Sequence, residues 1–328
     1  MTSNPVRVAV VGFGFMGRTH AACYAANPNA ELVAVCSPSI QGTRAPVAGN
    51  LDTQSALDLA GVELLTNVEE LIERSDIDAL DLCLPTPLHE PLAVRALEAG
   101  KHVFCEKPMA RTLSGCDAMI EAGQQSGNIL MIGHVLRFWP HYQKAHELIE
   151  GGELGRVLAA RFERQSPLPR WSRWMLDSKQ SGGAPLDLHL HDADVALWWF
   201  GEPSRIEASG IVQNEMPLLI ESLWHFSNGP LLSFLGSWDF NDSPYRMAFE
   251  LFGERGTLRF DSSRDNELHF FGQSQSRVVA VSGHDAYTAQ LSYFIECIQN
   301  GALPRHGAPE TSRRAVEIVL EELRQMGA

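Results

Sequence analysis

The chain has 328 residues, of which 45% are hydrophobic and 20% charged, and its formal net charge is −14. This length and composition predict a sizeable core divided over two domains, and they exclude disordered and fibrous proteins. The negative charge argues against a nucleic-acid-binding surface, because contact with phosphates requires clustered Lys or Arg side chains.

Targeting signals and cysteine pairs are not recognisable in the sequence. The N-terminus lacks an apolar leader, and no uninterrupted apolar run approaches about 18 residues. The six cysteines are dispersed and include no CxxC pair. We therefore expect a cytoplasmic protein with reduced cysteines and no membrane partner.

The first third of the chain alternates short apolar runs with helical patterns. Near-continuous apolarity in short runs is typical of strands covered on both faces, as in a parallel sheet. The pattern predicts an N-terminal Rossmann domain with a doubly wound parallel sheet over residues 1–127. The apolar runs of this part of the chain are 7–11, 31–36, 63–67, 79–85, 102–106 and 129–135, the last of which extends past residue 127.

From about residue 150 the pattern changes to successive strand-like runs. Alternation at Met247, Phe249 and Leu251 suits a sheet with one covered face, and Asn228-Gly229 is a hairpin turn signal. We therefore predict a C-terminal α/β domain over 128–328, with a large, mostly antiparallel open sheet that serves substrate binding and oligomerisation. Two helices end the chain, and we expect the final helix to pack near the Rossmann domain.

A glycine-rich loop follows the first predicted strand and precedes a helical pattern. In a GxGxxG loop, the glycines allow a tight turn, close approach of a pyrophosphate and close helix–strand packing. An ordinary glycine-rich turn is the alternative, but the strand before and the helix after favour dinucleotide binding. The predicted cofactor-binding residues of this loop are Gly12, Phe13, Gly14, Phe15, Met16 and Gly17.

The end of the second strand bears on the choice between NAD and NADP. An acidic residue that would hold the ribose hydroxyl of NAD is missing, and the chain has Ser37 and Ser39 there, with Arg44 nearby. These residues can donate to a 2′-phosphate, so they favour NADP slightly over NAD. The alternative is that they are capping serines and a solvated arginine.

Polar residues also follow the fourth and fifth predicted strands. Because ligands of doubly wound sheets bind at the carboxyl ends of the strands, Lys107 is predicted to lie at the reactive end of the dinucleotide and to handle a proton. Neighbouring residues on a strand point to opposite sides, so Glu106 need not pair with it. The other predicted cofactor contacts here are Leu84, Pro85, Thr86 and His89.

A second cluster lies in the segment SGGAPLDLHLHDADVALWWFG. If this segment is helical from about Leu186, Asp187 and His191 share a face, which suits a carboxylate that orients a general acid–base imidazole, while His189 points away. A metal site is the rival interpretation, and the spacing argues against it. Asp192 and Asp194 are left out of the predicted site, because helix caps beside a buried structural histidine are a plainer alternative.

A third group contains residues that we predict to contact the substrate. Aromatic faces with Arg and His suit stacking and hydrogen bonding to a polyol, although packing at a domain junction is an equal alternative. Besides Lys107, Asp187 and His191, the predicted substrate-binding residues are His134, Arg137, Trp139, Arg164 and Trp174.

With these motifs assembled, the chain resembles the glucose–fructose oxidoreductase, inositol dehydrogenase and rhizopine-catabolism (Gfo/Idh/MocA) family. The resemblance rests on GFGFMGRTH, PTPLHEPLAVRALEAGKHVFCEKPMA, GHVLRFWPHY and the segment of Asp187, and it covers nearly the whole chain. It implies a Rossmann domain, an α/β domain and nicotinamide-dependent chemistry at a sugar or cyclitol carbon.

The resemblance also implies individual roles. Lys107 matches the family's catalytic lysine, and Asp187 and His191 match its DxxxH pair. Two departures occur, because His189 and Ala184 stand where the family often has glycine. The positions that match cofactor contacts are Gly12, Gly14, Gly17, Ser37, Thr86, His89 and Glu106.

The sequence thus predicts an NAD(P)-dependent oxidoreductase that acts on a sugar, cyclitol or related polyol and assembles as a homodimer or homotetramer. One alternative is a non-enzymatic NAD(P)H sensor, which would need no proton donor. Another is a redox-neutral hydrolase or lyase that uses bound nicotinamide transiently.

Overall fold

The computed structural model describes residues 4–38, 59–239, 243–273 and 275–328. Within them, the strands are β1 (Val6–Val11), β2 (Ala30–Cys36), β3 (Glu63–Leu65), β4 (Ala79–Leu82), β5 (His102–Glu106), β6 (Leu130–Gly133), β7 (Val157–Pro167), β8 (Arg205–Gln213), β9 (Met216–His225), β10 (Leu231–Asp239), β11 (Arg246–Gly253), β12 (Gly256–Asp261), β13 (Leu268–Gly272) and β14 (Ser276–Val279).

The helices in the same residues are α1 (Phe15–Ala26), α2 (Val68–Glu73), α3 (His89–Glu98), α4 (Leu113–Ser126), α5 (Pro140–Glu150), α6 (Ser178–Ser181), α7 (Leu190–Phe200), α8 (Ala286–Asn300) and α9 (Pro309–Met326). Short 3₁₀ turns cover Thr86–Leu88 and Val135–Phe138, and Pro185–His189 forms a π-helical turn. None of the helices in the described residues is long and apolar enough to cross a membrane.

The described chain divides into two compact units. Unit 1 comprises the residues up to Val135 together with Asp285–Arg313, and unit 2 comprises Leu136–His284 together with Arg314–Ala328. The chain therefore leaves unit 1 for unit 2 and returns to it for α8. The predicted division of binding roles at residues 127 and 128 stays a prediction.

Unit 1 contains the predicted doubly wound sheet. Within the described residues, six parallel strands pair in the order β3-β2-β1-β4-β5-β6. All four residues of β4 and of β6 are buried, as expected for strands covered on both faces. Because β1, β4 and β5 are neighbours, the residues that follow them meet at one edge of the sheet.

Helix ends in unit 1 follow ordinary capping chemistry. The Thr112 side chain accepts a hydrogen bond from the Gly115 amide at the start of α4 (3.1 Å), and Gly127 ends that helix in the left-handed conformation. Helix α8 completes the unit, since its Phe294 ring contacts Phe104 of β5 edge-on at a centroid distance of 5.6 Å.

Unit 2 contains the predicted large sheet. Its described strands pair in the order β14-β13-β12-β11-β7-β10-β9-β8, and every pair is antiparallel except β7 with β10. Stacked rings of Phe162 and Phe234, 5.2 Å apart, join these two central strands in the core. Helix α9 supplies unit 2 with buried Val316, Val319 and Leu323, and its first residues up to Arg313 belong to unit 1.

Candidate active site

The glycine loop connects β1 to α1, and its outer glycines are required by the fold. A Cβ on Gly17 would lie 1.8 Å from the Gly12 carbonyl oxygen, and one on Gly12, at φ +92°, would lie 2.2 Å from the Cys83 carbonyl oxygen. Gly14 is different, because a Cβ there would meet no atom of the described chain within 4 Å. Its φ of −75° is also open to any residue.

The space beside Gly14 fits a pyrophosphate. Helix α1 begins directly after Gly14, and no side chain in the described residues caps it there. Amides at a helix N-terminus are ready donors for an anion, and the missing Cβ lets that anion approach the backbone. Phe13 is buried and Phe15 and Met16 are half-buried; their cofactor contacts stay predictions.

The ribose end of the predicted cofactor site is described only in part. Ser37 follows β2, is buried, and donates its backbone N–H to the Leu65 carbonyl oxygen at 3.0 Å. Ser39 and Arg44 lie outside the described residues. The preference for NADP therefore stays a prediction.

The turn after β4 is linked to the turn after β5. His89 is buried, its Nδ1 lies 2.9 Å from the Pro108 carbonyl oxygen, and its Nε2 lies 2.8 Å from the Leu84 carbonyl oxygen. Burial lowers the pKa of this imidazole. His89 thus holds the two turns together, and Thr86 is buried between Pro85 and α3.

Glu106 and Lys107 stand at the carboxyl end of β5, where the sequence predicted the reactive centre. Glu106 is 8% exposed, and its Oε2 accepts the backbone N–H of Lys107 at 3.1 Å. The carboxylate lies over Gly133 of β6, where a Cβ would come within 2.9 Å of Oε1. Lys107 is half-buried and is followed by a cis peptide bond to Pro108.

Beneath Glu106 lies a buried polar cluster that the sequence analysis missed. His20 of α1 is fully buried, with Nδ1 2.8 Å from Asp81 Oδ2 and Nε2 3.4 Å from Glu106 Oε1. Cys83 Sγ lies 3.2 Å from the same Nδ1. The signal in the sequence was Asp81, a carboxylate inside the apolar strand ALDL, since a buried charge needs a partner.

In unit 2, the predicted Asp187–His191 pair stands at the start of α7. Asp187 belongs to the π-helical turn and His191 to the first turn of α7, and both are half-buried. Asp187 Oδ2 accepts a hydrogen bond from Trp238 Nε1 at 3.2 Å. A carboxylate and an imidazole four residues apart suit orientation of a proton acceptor, and this role stays a prediction.

One departure from the family pattern, Ala184, precedes this pair, and the other, His189, lies within it. Gly183 has φ +72°, and a Cβ there would lie 2.3 Å from the Pro217 carbonyl oxygen, so glycine is required. Ala184 has φ −54° and is part of a buried apolar cluster. A third glycine is therefore unnecessary for the backbone.

His189, the other departure, points into the core of unit 2. It is 1% exposed, and its Nε2 lies 2.8 Å from Glu322 Oε2 on α9. Glu322 Oε1 accepts hydrogen bonds from Ser222 Oγ (2.5 Å) and Trp224 Nε1 (2.8 Å). Burial disfavours the charged imidazole, but the Glu322 carboxylate outweighs burial and raises the pKa of His189.

Arg164, a predicted substrate contact, is held by partners inside unit 2. It is 1% exposed and pairs with Asp192 through Nε (3.0 Å) and one terminal nitrogen (2.8 Å). Its terminal nitrogens also donate to the hydroxyl groups of Tyr142 and Tyr245, at 3.2 and 2.6 Å. Internal partners thus engage all three nitrogens, and a substrate contact of Arg164 stays a prediction.

Arg137 is engaged in a similar way. It is buried, and its Nε and one terminal nitrogen each donate to the Asp194 carboxylate at 2.8 Å. Asp192 and Asp194, which the sequence analysis left out of the site as helix-cap candidates, are thus the partners of two buried arginines. A bidentate pair of this kind holds a guanidinium in one orientation, which leaves little freedom for the substrate contact predicted for Arg137.

The remaining predicted substrate residues are divided between the units. His134 directly follows β6 in unit 1 and is buried, whereas Trp139 and Trp174 are half-buried in unit 2. Lys107 likewise belongs to unit 1, and Asp187 and His191 belong to unit 2. Their action on one substrate stays a prediction.

Comparisons with known proteins agree with this geometry. Residues 6–134 match a family model described as an oxidoreductase family with an NAD-binding Rossmann fold, and residues 142–259 match the GFO/IDH/MocA C-terminal domain. The scyllo-inositol 2-dehydrogenase (NAD(+)) of Bacillus subtilis is 28% identical over 320 residues, 92% of this chain and 88% of that protein.

Two further similarities bear on fold and chemistry. A 2,7-anhydro-N-acetylneuraminate hydratase of Mediterraneibacter gnavus is 31% identical over 211 residues, 62% of this chain and 52% of that protein. A solved levoglucosan dehydrogenase in complex with NADH and L-sorbose has the same fold, with a TM-score of 0.85, 22% identity and coverage of 99% of this chain and 97% of that one. The two matched domains, the glycine loop and the order of the sheets lead to one conclusion: the chain belongs to the Gfo/Idh/MocA family of oxidoreductases.

Proposed function

We propose that the protein is an NAD(P)-dependent dehydrogenase or reductase that acts on a secondary alcohol or ketone of a sugar, cyclitol or related polyol. The observation that carries the proposal is the half-buried Lys107 at the end of β5, on the same sheet edge as the open space beside Gly14. Ligands of doubly wound sheets bind at this edge. Relatives named as inositol dehydrogenases support the substrate class.

The proposed chemistry divides between the cofactor and the chain. The nicotinamide, when bound, supplies the acceptor or donor of the hydride. His191, oriented by Asp187, takes the proton of the substrate hydroxyl group. Lys107 hydrogen-bonds the same oxygen and relays that proton, and positioned acid–base groups of this kind contribute about 10²–10⁴-fold in rate.

The proposal is tested by absorbance at 340 nm with NAD or NADP and a panel of inositols, aldoses and anhydrosugars. A steady change in absorbance that depends on the polyol supports a dehydrogenase. Binding of NAD(P)H without turnover of any compound supports the alternative, a sensor. If the protein binds no NAD(P)H and turns over no compound, both the dehydrogenase and the sensor are contradicted.

Replacing Lys107 by Ala tests the proposed proton handler. We expect kcat to fall by about 10²–10⁴-fold, because the acid–base group is lost, while the Kd for NAD(P)H changes little. Lys144→Ala is the matched control, since Lys144 pairs with Glu147 on the surface of α5. A Lys107→Ala enzyme that turns over at the wild-type rate would exclude the role.

A second candidate function is a redox-neutral hydrolase or lyase, in which a bound nicotinamide would serve only transiently as hydride acceptor. The hydratase among the relatives favours it. Here the product would form, as followed by chromatography or NMR, without net change at 340 nm. Lys107, Asp187 and His191 would again be the acid–base residues, since proton transfer at a carbon next to a transient ketone also needs positioned acid–base groups.

We further propose that the protein prefers NADP to NAD, resides in the cytoplasm and assembles as a homodimer or homotetramer. Ser37 and the absence of an acidic residue at the end of β2 support the first proposal. Titration with both cofactors, localisation of the tagged protein and light scattering are the respective measurements.

A further inference from the structure

The buried cluster beneath Glu106 joins three elements of unit 1. His20 comes from α1, Asp81 from β4 and Glu106 from β5. All three side chains are at least nine-tenths buried, at 0%, 0% and 10% exposure. Burial of this many ionisable groups is costly unless the charges compensate one another.

The distances indicate an ion-paired imidazolium. Asp81 Oδ2 lies 2.8 Å from Nδ1 and Glu106 Oε1 lies 3.4 Å from Nε2, so each ring nitrogen faces a carboxylate oxygen. A neutral imidazole has only one N–H and would leave one carboxylate facing a lone pair. The protonated ring offers a donor to both.

A metal ion is the competing explanation, because His20, Asp81 and Cys83 place their ligand atoms close together. The 2.8 Å between Nδ1 and Asp81 Oδ2 is a hydrogen-bond distance, shorter than the separation of two ligands around one tetrahedral zinc. An imidazolium that is hydrogen-bonded to Asp81 and ion-paired with Glu106 accounts for the geometry.

We propose that His20 is a positioning residue: a buried imidazolium, held by Asp81, that fixes the Glu106 carboxylate and through it the backbone of Lys107. The last link is the 3.1 Å hydrogen bond from the Lys107 N–H to Glu106 Oε2. The role rests on the proposed function of Lys107. His20 acts through Glu106 and needs no contact with substrate.

The charges around His20 favour this protonation state. Burial opposes the imidazolium, but Asp81 and the other neighbours outweigh burial and raise the pKa of His20. Burial alone would raise the pKa of Glu106, whereas the adjacent His20 and Lys107 lower it. The titratable groups that face the ring come from α1, β4, β5, α8 and the turn after β4, and they are Cys23, Asp81, Glu106, Tyr287 and Cys83. Tyr24 of α1 interacts with Asp81 of the same cluster.

The first test reads the charge of His20 without any enzymatic assay. In protein labelled with ¹⁵N-imidazole histidine, the signal lost in His20→Gln identifies His20. We expect wild-type His20 to remain an imidazolium at pH 8 and to become neutral in Asp81→Asn. A neutral ring in the wild type at pH 8 would overturn the proposal, whether or not the protein is a dehydrogenase.

The second test separates positioning from a purely structural role. For the active enzyme we expect His20→Gln to lower kcat by about 10²-fold, the loss that a displaced catalytic group causes, with the Kd for NAD(P)H within about threefold. Because Glu106 loses its cationic partner, the pH profile of kcat/KM should lose activity on the acid side. In a Glu106→Gln background, His20→Gln should leave the profile unchanged.

The matched control is His102→Gln at the opposite end of β5, where Nδ1 accepts the Ile129 N–H at 2.9 Å. It should retain kcat and the wild-type pH profile.

A folded His20→Gln enzyme with the kcat and pH profile of the wild type would overturn the positioning role. If His20→Gln does not fold, Asp81→Asn carries the same comparison. If the wild-type protein has no dehydrogenase activity, the proposed function is contradicted. The ¹⁵N signal of His20 then decides, by itself, whether the ring is an imidazolium.

Discussion

The glycines of the phosphate loop differ in what they accommodate. Gly12 and Gly17 make room for backbone oxygens of the protein itself, whereas the space beside Gly14 contains no atom of the described chain. A motif match treats all three positions alike. In the structure, folding requires glycine at positions 12 and 17, whereas glycine at position 14 would be required only by a ligand.

Matched alanine substitutions test this separation. Gly17→Ala should lower the free energy of unfolding by about 1–3 kcal/mol, because its Cβ has no space. Gly14→Ala should leave that free energy unchanged or raise it by about 0.4–1 kcal/mol, since its φ suits alanine, yet it should weaken NAD(P)H binding. Urea unfolding and fluorescence titration measure the two effects. Wild-type affinity in Gly14→Ala would show that no phosphate approaches this backbone.

Buried arginines show why residue roles are hard to read from sequence. Arg137 and Arg164 stand near motif residues and look like substrate contacts. Their carboxylate partners, Asp194 and Asp192, are 57 and 28 positions away, and no local pattern links residues so far apart. In contrast, the positions of the glycine loop and Lys107 at the ends of β1 and β5 followed from the sequence, because the strand before each is mostly apolar.

At the scale of elements, α9 supports the turn that carries Asp187. Glu322 on this helix pairs with His189, two residues after Asp187, and also accepts hydrogen bonds from the side chains of Ser222 and Trp224 of β9. The helix thereby joins the sheet of unit 2 to the start of α7. Its contribution to stability should depend on pH, because His189 titrates.

Glu322→Gln tests this support. A histidine whose pKa is raised by folding stabilises the native state. This contribution is complete at pH values below the pKa of the unfolded state, near 6.5, and it is lost as the pH rises through the pKa of the folded state. Removing one partner of a buried pair costs about 3–5 kcal/mol. We therefore expect a large loss of unfolding free energy at pH 6 and a smaller loss at pH 9, measured by urea unfolding.

The control is Glu321→Gln on the same helix, whose partner Arg324 is 69% exposed, so that little stability should be lost at either pH. An equal loss at pH 6 and pH 9 for Glu322→Gln would show that the imidazolium contributes nothing.

Several element boundaries followed from the sequence, and others did not. The predicted strand 102–106 coincides with β5, because its apolar run is bounded by Gly100 and Pro108. The strand-like segment MAFELFGERGTLRF, residues 247–260, which contains the alternation of Met247, Phe249 and Leu251, divides into β11 and β12 around a turn at Glu254 and Arg255. The π-helical turn at Pro185–His189 was missed, because the apolar spacing there also fits an α-helix.

At the scale of the whole molecule, the two units should respond to different ligands. Binding to the native state stabilises it by about 2.7 kcal/mol at a ligand concentration of 100 Kd. We expect NAD(P)H to slow hydrogen exchange at the start of α1 and at the ends of β4 and β5 in unit 1. A polyol substrate added afterwards should slow exchange around Asp187 and His191 in unit 2.

Hydrogen–deuterium exchange with mass spectrometry measures both effects. A compound that is not turned over is the control for the second addition. Protection by NAD(P)H confined to unit 2 would contradict the assignment of the cofactor to the glycine loop.

The return of the chain to unit 1 has a consequence during synthesis on the ribosome. Helix α8 packs on α1 and β5 through contacts such as Asn27–Ser292 and Phe104–Phe294, yet it is made only after nearly the whole of unit 2. The nascent Rossmann sheet therefore lacks α8, and Phe104 lacks its Phe294 partner, until about 150 further residues have emerged. At roughly 5–20 residues per second, this interval lasts on the order of ten seconds. The N-terminal part of the protein is thus the part for which a chaperone has the longest opportunity to bind.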